Sequence, residues 1–283
     1  MLTIAPKDTP LKDLHQYLLG AVAPRPICFA STIDENGNPN LSPFSFFNIF
    51  GSNPPIAIFS PARSGRTKQT KHTHQNVLQV PEVVINVVNY SMVQQASVAS
   101  GEYDKDVNEF VKSGFTPIKS KIVRPYRVKE SPVQMECEVL GVKETGDEGG
   151  AGNLIICEIL LIHINEDVLN EDKRIDPNKI DLVGRMMGNL YCRASGNALF
   201  EVVQPGHHLG IGIDSMPLSI KASKVLTGNN LGQLASITAL PDMQGYISSE
   251  KFSDEESLHK AAKKLLDNGK IEDAWKLLLA NTK

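Results

Sequence analysis

Between Pro24 and Asn86 the chain gathers small hydroxyls, aromatic rings and a basic loop, rather than acids or metal ligands. Ser31-Thr32 ends a short apolar run, Ser42-Pro43-Phe44-Ser45-Phe46-Phe47-Asn48 follows, and Ser60 closes another apolar stretch. Then comes Arg63-Ser64-Gly65-Arg66-Thr67-Lys68-Gln69-Thr70. Hydroxyls and cations joined to the free amides of a helix N-terminus make a phosphate site. The aromatic segment interrupted by Pro43 offers a flat apolar wall with exposed backbone amides, which suits a planar heterocycle hydrogen-bonded along one edge. Together these features point to a phosphorylated aromatic ligand. The same residues also suit a polar loop beside ordinary core aromatics.

Metal chemistry finds little support. Cys28, Cys137, Cys157 and Cys192 form no CxxC pair, and each sits in an apolar or strand-like run. Structural zinc favours tight ligand pairs, because two ligands from one turn reduce the entropy of assembling the site. Free thiols in a reducing cytoplasm are the expectation, with no metal site. Neither His72/His74 nor His207/His208 brings further ligands with it, and His163 reads as a core or interface histidine. Gly206–Gly212 lacks the strand and helix that a dinucleotide fingerprint needs. Asp104-Lys105-Asp106 reads as a solvated helix start.

The elements that must position these residues are mostly strands. Pro26–Ile33 is β-prone and ends at Asp34-Glu35-Asn36-Gly37, a hairpin signal. The return over 40–48 is expected to be an edge or irregular strand, since Pro43 cannot donate a ladder bond. Asn53-Pro54-Pro55 predicts a turn, 56–60 a buried strand, 68–79 a short polar helix and 82–88 a strand. Short helices are expected over 91–100 and 106–113. Val133, Met135, Cys137 and Val139 alternate with Gln134, Glu136 and Glu138, which predicts a strand with one wet face. After a turn over 146–152, the nearly all-apolar run 154–164 reads as a strand buried on both faces. A barrel accounts for this order better than a doubly wound sheet.

The tail differs in kind. Ser253 and Glu256 form a capping box opening a helix with Leu258, Ala261, Ala262, Leu265 and Leu266 on one face, and Asp267-Asn268-Gly269 stops it. Ile271, Ala274, Trp275 and Leu278 mark a second amphipathic helix. A hairpin of this kind cannot bury both stripes alone, so it is expected to dock on the barrel or another subunit. Across the 283 residues, 41% hydrophobic and 22% charged with net charge −3, the composition excludes disordered and fibrous classes. It gives no basic footprint for nucleic acid. No apolar run of about 18 residues suggests a membrane span, and the first residues lack the apolar core of a secretory signal.

The ordered set of motifs resembles the flavin reductase-like family of FMN-binding split β-barrels, which includes flavoredoxin and the NAD(P)H:flavin oxidoreductases. The matching stretches are Pro24-Arg25-Pro26-Ile27, Ser31-Thr32, Asn40–Asn48, Asn53-Pro54-Pro55, Phe59-Ser60, Lys68-Gln69-Thr70 with Asn76, Val83–Asn86, Ile162-His163-Ile164, and Gly184-Arg185 leading to Tyr191. The resemblance implies a mainly β split barrel with peripheral helices over 1–204 and a C-terminal extension over 205–283 ending in the helical hairpin. It implies FMN as cofactor, held by Ser31, Thr32, Ser42, Phe44 and Ser45 at the ring and by Asn48 and Ser60 along the ribityl chain. Arg66, Lys68 and Thr70 would take the phosphate, although Gln69 replaces the family's usual Asp in that motif. Arg185 and Tyr191 would approach the flavin at the interface of a homodimer. No side chain is singled out as catalytic, because hydride transfer from NADH or NADPH to the flavin asks mainly for binding and stacking. The implied activity is an NAD(P)H-dependent flavin reductase, cytoplasmic, with a monooxygenase or another electron acceptor as possible partner. A flavoredoxin-like FMN carrier, a non-enzymatic flavin-binding redox module and an interaction protein working through its C-terminal hairpin are the alternatives.

Overall fold

The computed structural model describes residues 1–202, 209–246 and 250–281. The chain forms two compact units, Met1–Phe200 and Glu201–Lys283. The expected boundary at 204/205 and the pair His207/His208 lie outside the described residues.

The first unit is built on strands β1 (Cys28–Ile33), β2 (Pro39–Phe44), β3 (Phe47–Ser52), β4 (Pro55–Phe59) and β5 (Glu82–Val87). Two short strands follow, β6 (Pro117–Ile118) and β7 (Arg127–Val128), then the long hairpin β8 (Val133–Glu144) and β9 (Asn153–Ile164), and the ribbon β10 (Leu182–Arg185) with β11 (Tyr191–Ala194). Its helices are α1 (Leu11–Ala21), α2 (His72–Gln79), α3 (Val93–Val98), α4 (Glu109–Ser113) and α5 (Pro177–Ile180).

Seven strands form one antiparallel sheet in the order β2-β1-β5-β8-β9-β4-β3. Strands β2 and β3 are its two edges, yet only Ser45 and Phe46 separate them in sequence. A link that short forces the edges together, so the sheet rolls into a split barrel. Phe44 on one edge stacks on Phe59 beside the other, with ring centroids 5.5 Å apart, and the amide of Ser60 donates to Phe46 O at 2.9 Å. Pro43 sits on an edge strand, as its missing donor requires. The expected single return over 40–48 is instead these two strands, because the chain leaves one edge and joins the other.

The barrel interior is closed by Ala30, Phe59, Ile85, Cys137, Ile155 and Cys157. A second core forms where Phe29 and Leu41 meet Met92, Ala96 and Phe110 beneath α3 and α4, so β1 is buried on both faces. The cysteines are free; Cys28, Cys137 and Cys157 are buried and Cys192 half-buried. Burial raises the three core thiols, Cys137 to about 12.

Four local expectations are corrected. The helix expected over 68–79 begins at His72, because Lys68 adopts a left-handed φ of 59° within a loop. On β8 the expected wet face is dry at Gln134 and Glu136. The Glu136 carboxylate accepts the amides of Lys121, Ile122 and Val123 at 2.7–3.2 Å and lies 2.7 Å from His163 Nε2. Burial pushes that carboxyl up, but these hydrogen bonds outweigh it and leave it below its ordinary value. Conversely, β9 is not covered on both faces: Leu154, Leu160, Ile162 and Ile164 are exposed, since nothing within the unit packs over them. Asp104 to Asp106 do not start a helix, since α4 begins only at Glu109 behind an Asn108 cap.

The second unit contains α6 (Leu218–Lys221), α7 (Gly228–Ala235), α8 (Glu255–Asp267) and α9 (Ile271–Asn281). The capping box lies one residue beyond the expected position: Asp254 accepts the Ser257 amide at 2.7 Å, and Gly269 adopts a φ of 73° after α8. The hairpin does not depend on a foreign surface, because α6 and α7 cover its apolar stripes. Ile220 and Leu234 pack with Leu258, Leu266, Trp275 and Leu278, and Trp275 Nε1 donates to Leu234 O at 2.9 Å.

Candidate functional site

The hairpin β1–β2 supplies the foundation. Asp34 fixes its turn by accepting the amides of Asn36 and Asn38, both at 2.9 Å, which sets Thr32 opposite Asn40. Asn40 Nδ2 donates to Thr73 Oγ1 at 3.0 Å, and Asn76 Nδ2 donates to Thr32 Oγ1 at 3.2 Å. All four side chains are buried, so this network pins the first turns of α2 against the barrel. Ser31 Oγ, next to it, is buried with no hydrogen-bond partner among the described residues.

The N-terminal end of α2 leaves backbone donors free. Lys71 caps the helix without a side-chain bond, and the amides of His72 and Thr73 have no acceptor among the described residues. These residues line a cavity of about 290 Å³, together with the hydroxyls of Ser42, Ser64, Thr67 and Thr70. Lys71 and Lys105 supply cations at its wall, and Glu109 lies at its inner side. Burial first, then the charges of Lys105 and Lys71, lower the pKa of His72, which favours its neutral form. Glu109 Oε2 accepts the amide of Leu41 at 3.1 Å, and burial raises its carboxyl above the ordinary value. At the rim Glu102 accepts from Lys71 at 3.0 Å and from Arg66 at 2.5 Å, which holds its carboxyl below the ordinary range.

The residues expected from sequence distribute around this cavity unevenly. Ser42 and Thr70 line it directly, while Ser31 and Thr32 lie buried on β1. Phe44 turns its ring into the barrel, so the strand edge rather than the side chain is what it offers a ligand. Ser45 Oγ accepts from Arg25 Nε at 3.5 Å in the link between the edges. Asn48 is exposed on β3 with its Oδ1 accepting from the Ile49 amide, and Ser60 is buried at the end of β4. Arg66 and Lys68 sit outside the lining, bound to Glu102 and, at 2.6 Å, to Glu148. Arg185 and Tyr191 line a different cavity, on the β10–β11 ribbon, which shares no lining residue with the first.

Sequence reasoning missed Lys71, Lys105 and Glu109. Lys71 directly follows Thr70 at the true helix start, a signal that the misplaced start at 68 concealed. Lys105 and Glu109 reach the cavity from beyond β5, where no local pattern marks them. Arg63, within the expected basic loop, staples it instead: its guanidinium donates to Gly146 O at 3.1 Å and Lys68 O at 3.3 Å and pairs with Glu144 at 3.4 Å. His74 is buried behind the loop with Nε2 3.0 Å from Glu144 Oε1; burial depresses its pKa more than the carboxylate raises it.

A family model for the flavin reductase like domain matches residues 20–181. An uncharacterized protein of Aquifex aeolicus is 36% identical over 197 residues, covering 69% of this chain and 97% of that protein. Nitrilotriacetate monooxygenase component B from Bacillus cereus is 27% identical with a TM-score of 0.66, over 71% of this chain and 98% of its own. A Shewanella frigidimarina protein, provisionally assigned as a flavin reductase with a split barrel domain, is 25% identical with a TM-score of 0.60, over 72% and 100%. The rolled sheet, the α2 cavity and its polar foundation all fall inside the matched segment, and the chain belongs to the flavin reductase-like family.

Proposed function

We propose that the chain is an FMN-binding oxidoreductase acting as an NAD(P)H-dependent flavin reductase. The observation that carries this reading is the N-terminus of α2, where free amides, hydroxyls and Lys71 converge on one cavity. That donor set fits a phosphate monoester, since the helix dipole, hydroxyl donors and a cation all favour a dianion. Thr70, Lys71 and the amides of His72 and Thr73 hold the phosphate in this reading, with Arg66 and Lys68 contributing charge from the rim. Ser42, Ser45 and the free edge of β2 at Phe44 hold the ring edge, with Ser31 and Thr32 behind them. Asn48 and Ser60 serve the ribityl chain. The partnerless hydroxyl of Ser31 supports a polar ligand group on that side, because a buried unpaired polar atom is costly.

Bound flavin would supply two-electron chemistry, with reduced nicotinamide dinucleotide as the hydride donor. The chain's own residues bind, orient and shield. The polar network under α2 fixes the phosphate seat, and the rolled edges β2 and β3 fix the wall on which rings stack.

Exposed Ile49 and Phe50 on β3 with Leu160 and Ile162 on β9 support a homodimer, since such side chains on a soluble monomer are otherwise left wet. Three buried free thiols support a reducing, cytoplasmic setting. Among the described residues no helix is long and apolar enough to cross a membrane. The likeness to a monooxygenase component B supports a monooxygenase as electron acceptor. Anaerobic addition of NADH, then NADPH, to the protein with FMN tests the reading. Catalysed bleaching of the flavin is the expected result. A protein that binds FMN but leaves it oxidised with both nucleotides is a carrier or sensor, and one that takes up no FMN overturns the assignment.

A further inference from the structure

We propose that the cavity between α3 and the β10–β11 ribbon is a second ligand site, taking a planar aromatic anion whose charged group pairs with Arg185 and whose ring lies against Tyr90 and Tyr191. The cavity measures about 350 Å³, within the size range of small-molecule sites. Two arginines lie over its tyrosines, Arg193 at 4.0 Å from the Tyr90 centroid and Arg185 at 4.6 Å from that of Tyr191. They are not equivalent. Arg193 Nε and Nη2 donate to the two carboxylate oxygens of Asp181, both at 2.7 Å, so its charge is compensated. Arg185 donates to Gly188 O at 2.6 Å and meets no carboxylate at ion-pair distance among the described residues.

A second uncompensated cation stands beside it. Arg25 is buried and spends its donors on the carbonyls of Leu19, Val22 and Met186 and on Ser45. Burial and then the charge of Arg185 lower its pKa. Two neighbouring guanidiniums without a counter-charge create a local positive potential that an anion relieves, and Arg185 is the one facing the cavity. Gln94 and Asn189 add neutral hydrogen-bonding groups to the same lining. A planar carboxylate or phosphate matches the guanidinium fork, and a flat ring matches the tyrosine walls.

An aryl carboxylate and a purine nucleotide share this chemistry. The site does not depend on flavin binding at α2. Isothermal titration of the full chain with benzoate and, separately, with AMP tests it, using the wild type, Arg185→Gln, Tyr191→Leu and Lys71→Ala. At least one probe is expected to bind at about 1 mM or better. Arg185→Gln should weaken it about tenfold, as loss of a charge-assisted bidentate contact does. Lys71→Ala and saturating FMN should leave it unchanged. Benzoate binding assigns the site to aryl carboxylates, and binding of AMP alone assigns it to nucleotides. No binding of either probe overturns the proposal, as does an Arg185→Gln protein with native circular dichroism and wild-type affinity. Displacement of the probe by FMN also overturns it, by giving the cavity to the flavin. If Arg185→Gln does not fold, Tyr191→Leu gives the same comparison, with weakening expected and unchanged affinity decisive against.

Discussion

Asn40 on the barrel edge donates to Thr73 in the first turn of α2 at 3.0 Å, with both side chains buried. This contact spans 33 residues of sequence and sets where the helix N-terminus points. Removing it by Asn40→Ala leaves a buried hydroxyl unpaired and should cost about 1–3 kcal/mol. The denaturant midpoint should fall with an unchanged slope. Asn76→Ala leaves Thr32 only the longer 3.4 Å bond from Asn40, so it should cost less, and the two together should be non-additive because both asparagines donate to Thr32.

If the α2 cavity takes a phosphate, FMN and riboflavin should respond differently to changes there. Lys71→Ala and Thr70→Ala should each weaken FMN by about tenfold while hardly altering riboflavin. Lys68→Ala should do less, since Lys68, unlike Lys71, lies outside the lining of the cavity. Equal losses for the two flavins in the Lys71 variant, measured by titration of intrinsic flavin fluorescence, would place the phosphate elsewhere.

The barrel was legible because its long strands declare themselves by period. Val133 to Val139 alternate, and the Asn36-Gly37 turn follows a β-prone run. What stayed hidden depends on contacts distant in sequence. Nothing between Asn40 and Asn48 announces that the chain abandons one sheet edge for the other. Glu136 reads as a wet-face residue until the amides of 121–123 fold over it. The sequence pattern puts the start of α2 four residues early because Lys68 looks like a helix former, whereas it occupies a left-handed turn held by Arg63. Lys105 joins Lys71 only through tertiary folding.

Glu109 gives the site a pH dependence of defined sign. Its buried carboxyl has a pKa above the ordinary 4.5, so the unfolded chain ionises first as pH rises. Stability from this group is therefore full below about pH 4.5 and declines as pH climbs through the folded-state pKa. Glu109→Gln keeps an oxygen to accept the Leu41 amide but cannot ionise. It should flatten that part of the profile and leave the protein at least as stable at pH 7. Urea melts across pH 4 to 8 make the comparison, and a variant with the wild-type slope would show that Glu109 does not titrate in this window.

The exposed apolar side chains of β9 predict self-association. Leu160 and Ile162 are 46% and 50% exposed in the single chain, although their strand is central to the sheet. Burying them against a second copy is favourable at roughly 25 cal/mol per Å² of apolar area. Placing a charge there should reverse the balance, because a carboxylate loses hydration on burial without gaining a partner. Leu160→Glu should sediment as a monomer at concentrations where the wild type is a dimer, with its circular dichroism unchanged because the residue contributes little to either core. Loss of FMN binding in that monomer would place part of the flavin contact on the second subunit, whereas retained affinity would make the α2 cavity sufficient alone. A Leu160→Glu protein that remains dimeric would move the interface to another surface.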